Sequence, residues 1–528
     1  MGMAVAIAQE APPLLTKSDL QSFLQCPRKL WLEHKRPELI PKGDPTLYRR
    51  TTDGNIVGEK ARDELGPECL RPTGADNKTQ AAVAARALLS RNPGKPAVEV
   101  PMQHGGLYAR ADALVPDGMG YILRETKSAT FPLKRDKVTP DAPEDHHVDD
   151  VAIQLWAMEQ SGIPCTRIEL NLLNNRWRYP GGGDYSGLFR TMDVTSEARA
   201  RRGRVPHWVK NADAVLAAKM PNVVTGPQCK KPYPCCFYDF CLSQDPKGPN
   251  DPIELLPDNA GKQLAKKLRE GKGYTSLLEP KLEELTGKQA NLYRRMQEAH
   301  RIGKAVLEPS VAKIMNALPY PRYYFDFEGI DLPVPRWAGV RPYEQIPFQW
   351  SCHIERTPGK FEHWEFLDLT GDDPSLACVK KMRQVISPDD GGPIIVYYQT
   401  YEEYRLRELA ERHPEHKQQM ETYLGRLVDL HPIVKDHFYD PRMQGHFSIK
   451  DVLPVIAPDL SYSNLRGVQD GTAAQVAYLY AALDQQTLAE RKDCLRTELQ
   501  VYCKQDTWAM VEIAYFLSGR CRPHDNTA

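Results

Sequence analysis

YARADALVPDGMGYILRETKS, residues 108–128, alternates apolar and polar side chains on either side of Pro116, Asp117, Gly118 and Gly120. That pattern predicts two strands joined by a turn. Residues two apart on a strand share a face, so Glu125 and Lys127 of the ETK triplet point the same way. A hairpin brings Asp112 of the first strand beside them. Two carboxylates and an ammonium then converge on one volume. Carboxylate oxygens suit hard divalent cations such as Mg²⁺, and a cation held there activates water and offsets charge growing on a phosphodiester. The lysine orients that water or offsets the same charge. A surface hairpin with an ordinary Glu–Lys pair has the same pattern, so the flanking segments must decide.

Nothing in the bulk composition is unusual for a globular protein. The 528 residues are 41% hydrophobic and 26% charged, and 69 Lys+Arg balance 69 Asp+Glu. The length allows two or three domains. Any affinity for nucleic acid must come from local basic patches, since there is no net charge. No apolar run reaches the ~20 residues of a membrane span, and MGMAVAIAQEAPPLL lacks the basic start and long apolar core of a signal peptide. Ala6 stands where a myristoylation site wants Ser or Thr. The expectation is a cytoplasmic protein with no membrane partner, whose 12 cysteines are not disulfides.

Ahead of the hairpin, LTKSDLQSFLQCPRKLWLEH predicts a helix capped by Ser18 and ending at Cys26. GNIVGEKARDEL, Gly54 to Leu65, predicts a helix carrying Glu59. A strand over Val98–Met102 precedes the hairpin. After it come a helix over Asp149–Gly162 with Gln154, a strand from Arg167, and a basic helical run, SEARARRGRVPHWVKNADAVLAA. Cysteines then cluster in CKKPYPCCFYDFC at 229, 235, 236 and 241. The spacing is not a paired CxxC. Four thiolates serve a structural zinc or an iron–sulfur cluster equally well at this point.

SDLQSFLQCPRKLWL, VGEKARDEL, RADAL, ETK and IQLWAM, followed by the late cysteines, resemble in order the RecB-type branch of the PD-(D/E)XK nucleases. The resemblance covers about residues 15–245 and is nearest to its iron-stapled members, the CRISPR-associated RecB-type exonucleases and AddB-like repair nucleases. It implies a restriction-endonuclease-like α/β domain with catalytic and metal positions at Glu59, Asp112, Glu125, Lys127 and Gln154. It also implies a [4Fe–4S] cluster on Cys26, Cys229, Cys235 and Cys241, with Cys236 competing for the place of Cys235. Trp156 and Met158 follow Gln154 where the family often has tyrosine.

Residues 250–318 are polar and helical in pattern, the expectation for an interdomain connector. KKLREGKGYTSL within them resembles a degenerate helix-hairpin-helix, which grips a phosphate backbone. A second domain is expected over 319–520. In YPRYYFDFEGI the run Tyr323–Phe327 predicts a buried strand with Asp326 and Glu328 on one face. Burying two acids on an apolar strand is costly unless a cation matches them. Tyr502 and Asp506, four apart on a predicted terminal helix, share a face. DxE, a middle acid and a late YxxxD resemble the DEDDy exonucleases of the RNase-H-like fold, relatives of RNase D and of polymerase proofreading domains. That resemblance implies two metals on Asp326, Glu328, Glu402 and Asp506, with Tyr502 positioning water. Glu402 falls where aspartate is usual and Tyr398 where asparagine is usual, and Asp429 is a supporting acid. The whole arrangement, including RPYEQIPFQWS and SIKDVLP, resembles a family of uncharacterised bacterial proteins.

The expected activity is Mg²⁺- or Mn²⁺-dependent hydrolysis of DNA, single strands or ends, in repair or phage defence. No GxxxxGK[ST] loop is present, so strand separation would need a separate helicase. A nucleic-acid-binding protein with one inactive nuclease domain, and an RNA-processing exoribonuclease, are the alternatives.

Overall fold

The hairpin forms where the period-two pattern puts it. In the computed structural model, which describes residues 14–73, 77–136 and 138–525, its arms are β3 (Leu107–Asp117) and β4 (Gly120–Thr130). Asp117 pairs with Gly120, leaving Gly118 and Met119 as the turn, and Gly118 has φ +57°, a conformation that favours glycine. The arms lie inside a six-stranded sheet with β1 (Leu15–Thr16), β2 (Ala97–His104), β5 (Cys165–Leu173) and β6 (Phe189–Asp193). Its order is β1-β3-β4-β5-β6, with β2 pairing β3 as well.

Helices α1 (Lys17–Gln25), α2 (Pro27–Lys35), α3 (Pro45–Asp63) and α4 (Asp145–Gln160) belong to the same unit. Helix α1 starts earlier than its Ser18 suggests. Thr16 is the cap, because Asp19 completes a reciprocal capping box with it. This makes Lys17 the first helical residue. The apolar core joins Leu20 and Leu30 to Ala111, Leu123, Ile153 and Leu170.

The described residues divide into two units: those through Pro246 with Leu332–Tyr343, and Lys247–Asp331 with Glu344 onward. In the second, a five-stranded sheet is built on β7 (Arg322–Asp331), flanked by antiparallel β8 (Gln345–Thr357) and parallel β10 (Ile394–Val396). Strands β9 (Lys360–Leu367) and β11 (Leu427–Asp429) are its edges. The sheet's helices include α5 (Gln399–Arg412), α6 (Leu430–His437) and the long α7 (Ala489–Leu517). Residues 250–318, expected as a connector, instead share the core of this unit: Ile253, Leu268, Leu292 and Met315 pack with Tyr324, Ile395 and Val511. The polar pattern hid this because each helix buries only a narrow stripe. Gly329, beside a bulge in β7, is needed for close approach, since a Cβ there would lie 2.8 Å from the Tyr401 hydroxyl. Both units are mixed α/β. Among the described residues no helix is long and apolar enough to cross a membrane.

Candidate functional site

In the first unit the β3–β4 ladder reaches Ala113↔Arg124. One position further, the Asp112 carboxylate accepts the Thr126 N–H at 2.9 Å. A side chain has replaced the neighbouring strand as acceptor. Asp112, Glu125 and Thr126 line a cavity of about 280 Å³. Glu125 is 2% exposed, and all of its oxygens are engaged. Its Oε1 accepts from Lys17 Nζ at 2.8 Å and Lys127 Nζ at 2.7 Å, and its Oε2 from Gln154 Nε2 at 2.7 Å.

Asp150, fully buried on α4 one turn before Gln154, also binds both lysines and receives Gln154 Nε2 at 3.2 Å. The result is an alternating set of two carboxylates and two ammoniums. Burial, with the Asp112 charge, pushes the Glu125 carboxyl up to about 7 against the pull of Lys127 and Lys17. Burial also acts to raise Asp150, but Lys127 and Lys17 outweigh it and hold that carboxyl well below the usual range. Lys127 stays firmly protonated, its burial outweighed by Asp150 and Glu125.

The structure therefore brings together Asp112, Glu125, Lys127 and Gln154. It does not bring Glu59 to them. The face of α3 that lines the cavity carries Asn55, Gly58 and Arg62, at helical spacing, and Glu59 lies one step around on an exposed face. Lys17 and Asp150 are the residues the sequence pattern missed. Both sit beside recognised motifs, Lys17 just before SDLQSF and Asp150 one turn before Gln154.

Cys26, at the α1–α2 junction, lines one small pocket with Cys229, Cys235 and Cys241. Cys236 is not part of that lining, which separates it from its neighbour. Burial raises the Cys235 and Cys241 thiols, and the other pocket thiols add to this. Gln25 ties the two ends of the unit together by donating to the Gln228 and Tyr233 carbonyls at 2.9 and 2.8 Å. Buried Arg28 presents an Nε without a hydrogen-bond partner in the same lining.

The second unit places Asp326 and Glu328 of β7 against Asp506 of α7, with ligand oxygens all within 4.8 Å of one another. This is the only such group of three His, Cys, Asp or Glu among the described residues. Burial, and then repulsion from Asp506, Glu402 and Glu328, drives Asp326 well above the carboxylate range. Glu328 is pushed up to about 8 by burial and Asp506, and Asp506 up to about 6 by burial. Tyr502 hydrogen-bonds both Glu328 and Asp506. The Tyr462 hydroxyl donates to Asp506, and Lys450 supplies the cation that opposes the acids. Neither Tyr462 nor Lys450 was singled out in the sequence, although SIKDVLP contains the lysine.

Glu402, on α5, is 2% exposed, and its Oε2 has no partner. Its oxygens fall outside the 4.8 Å group, but burial, with Asp429 and Glu328 nearby, raises its carboxyl strongly. Asp429 supports rather than joins the cluster. It accepts the N–H groups of Tyr398 and Gln399 at 3.0 Å, and that of His431 at 2.9 Å. One carboxylate thereby anchors the starts of α5 and α6.

A family model described as a domain of unknown function, DUF2779, matches residues 323–448. The chain is 25% identical over 227 residues to the uncharacterized protein MG366 of Mycoplasma genitalium, covering 40% of this chain and 34% of that protein. It is 24% identical over 250 residues to the uncharacterized protein UU173 of Ureaplasma parvum, covering 43% and 34%. The aligned part thus spans about a third of the length of these relatives. Among solved structures, that of SSO0001 matches at 16% identity with a TM-score of 0.25, covering 46% of this chain and 91% of that one.

Proposed function

We propose that the chain is a metal-dependent nuclease with two hydrolytic sites, a PD-(D/E)XK-type site in the first unit and a DEDDy-type exonuclease site on an RNase-H-like sheet in the second. The observation that carries the reading is the Asp326–Glu328–Asp506 cluster beside the unpartnered Glu402 Oε2. Carboxylates this close, with Glu328 and Asp506 buried and Asp326 half-buried, repel and take up protons unless a cation satisfies them. Asp326, Glu328 and Asp506, with Glu402, would hold Mg²⁺ or Mn²⁺ there, and Asp112 and Glu125 would hold one in the first unit. Such an ion supplies Lewis-acid stabilisation of a phosphodiester and a more acidic water.

The chain's own residues do the rest. Lys17, Lys127 and Gln154 fix the Glu125 carboxylate so that Asp112 and Glu125 face the cavity in one arrangement. Asp150 holds Lys127 against that carboxylate, where its charge offsets the charge that develops on phosphate. In the second unit Tyr502, bonded to two of the acids, orients an attacking water.

The four pocket cysteines fit a [4Fe–4S] cluster better than zinc. A tetrahedral zinc with Zn–S bonds of ≈ 2.3 Å draws its sulfurs to about 4 Å apart, whereas no three of these thiols meet within 4.8 Å. A cluster of four irons takes one thiolate at each iron and spreads them wider.

DNA is the favoured substrate, with RNA the alternative. The position of Glu402 outside the three-acid group favours a second reading for the C-terminal site alone, that of a nucleic-acid platform with little catalysis. Labelled DNA and RNA strands of matched sequence, incubated with the purified chain and Mg²⁺, Mn²⁺ or EDTA, test these readings. Metal-dependent shortening of DNA supports the first. Preference for RNA replaces the substrate, and cleavage that Asp326→Asn leaves unchanged while strand binding persists leaves the platform reading for the C-terminal site.

A further inference from the structure

Tyr398 has an unusual backbone. At φ +68° and ψ 67° it occupies the left-handed region, which costs a non-glycine residue about 1–2 kcal/mol. The conformation is held in place, because Asp429 Oδ1 accepts the Tyr398 N–H at 3.0 Å. The same oxygen accepts the His431 N–H at 2.9 Å. The two rings so anchored stack at a centroid separation of 3.9 Å and an interplanar angle of 23°.

The neighbour Tyr397 shows what an ordinary tyrosine does here. It is 8% exposed and donates its hydroxyl to the Phe447 carbonyl at 2.6 Å. Tyr398 is 47% exposed. An apolar ring is thus turned outward by a strained backbone and backed by a second ring, at a site where burial would have been the stabilising choice.

Its location gives that ring a purpose. Tyr398 is the N-cap residue of α5, and Glu402 lies in the first turn of that helix. Glu402 is the buried acid whose Oε2 is unpartnered beside the carboxylate cluster. The exposed aromatic surface therefore stands at the end of the helix whose first turn carries Glu402, anchored by Asp429, whose charge also reaches the Glu402 carboxyl.

We infer that Tyr398, backed by His431, is a stacking platform for an unpaired nucleobase of the strand whose phosphodiester reaches the Asp326–Glu328–Asp506 cluster. The inference rests on the nucleic-acid reading above and adds to it the residue that would seat an unpaired base. A base inside a duplex has no free face, so the platform takes single strands or frayed ends. Stacking tolerates any base, since each has a π-face, and is worth about 1–3 kcal/mol per base. The site should therefore show little sequence preference.

The test uses the full chain with Ca²⁺ and a single-stranded oligonucleotide carrying 5-iodouracil near its 3′ end. Binding is read by fluorescence anisotropy, and contact by photocrosslinking and peptide mass spectrometry. Crosslinks are expected on the peptide containing Tyr398. Tyr398→Gly, which relieves the backbone strain, should stay folded and weaken binding about tenfold, within the range of one lost stack. Tyr398→Phe should bind within about twofold of the original chain. Replacing the terminal bases by abasic positions should weaken the original chain and leave Tyr398→Gly unaffected. Equal affinities for the glycine variant and the original, or crosslinks mapping only elsewhere, overturn the inference. A chain that binds no strand overturns both it and the nucleic-acid reading, which separates the two failures.

Discussion

Lys17 Nζ lies 2.8 Å from Glu125 Oε1, although 108 residues separate the two in sequence. Lys17 also bonds Asp150, at 3.1 Å, so the start of α1, the middle of β4 and the body of α4 meet at one set of charges. Removing a partner from a buried ion pair costs about 3–5 kcal/mol. Asp150→Ala leaves two lysines facing one carboxylate and should destabilise the first unit by about that much. Lys17→Met leaves Lys127 in place and should cost less, about 1–3 kcal/mol. Urea unfolding followed by a probe in the first unit measures both.

Much of this site was legible because Asp112, Glu125 and Lys127 sit on one hairpin. Alternation and Pro-Asp-Gly turn chemistry placed Asp112 beside Glu125 and Lys127. Lys17 and Asp150 were not legible. Each reads locally as a solvated residue at a helix start, and only the tertiary packing of α1 and α4 against the sheet turns them inward. Successive helical residues point 100° apart, so Gly58 lines the cavity while its neighbour Glu59 is exposed outside the lining, a difference that the motif alone does not carry.

The metal-free second unit should become less stable as pH rises. Glu328 goes from 4.5 to about 8 and Asp506 from 3.8 to about 6 on folding. Raised values mean that the folded state favours the protonated acids. Their contribution is complete below about pH 4 and is lost as pH climbs through 6 to 8. Mn²⁺ keeps the acids ionised and should flatten that decline. At a hundredfold excess over Kd it should raise Tm at pH 8 by about 5–10 °C, and Asp326→Asn should remove most of the rise. Differential scanning calorimetry at pH 5 and 8, with and without Mn²⁺, checks it.

Glu402 predicts opposite effects on stability and activity. Its Oε2 is buried without a partner, so Glu402→Gln, which removes the ionisable group, should leave the metal-free chain as stable or raise its stability by about 1 kcal/mol. The same change should lower exonuclease activity at least about a hundredfold, because a misplaced cation costs rate steeply. Glu402→Asp should preserve activity or raise it. Thermal melts paired with cleavage rates give both readings.

The cysteine pocket separates two adjacent thiols. Anaerobically purified protein should be brown and contain iron and acid-labile sulfide, and Cys26→Ser, Cys229→Ser, Cys235→Ser and Cys241→Ser should each lose all three. Cys236→Ser should retain all three, since Cys236 is absent from the pocket lining. Stoichiometric zinc in colourless protein would contradict the cluster assignment.

Whether two separate carboxylate sites cut phosphodiester bonds is measured by cleavage with site-specific variants of the full chain. End-labelled and internally labelled single strands are incubated with Mg²⁺ or Mn²⁺ and the original chain, Lys127→Ala, Asp326→Asn, or the double variant. Metal-dependent cleavage by the original chain is the expected result. Each single variant should lose one pattern of products by at least about a hundredfold, the scale expected for a charge-stabilising group, and the double variant should be inert. Cleavage by the double variant at the original rate, or no metal-dependent cleavage of DNA or RNA by the original chain, would contradict cutting at these two sites.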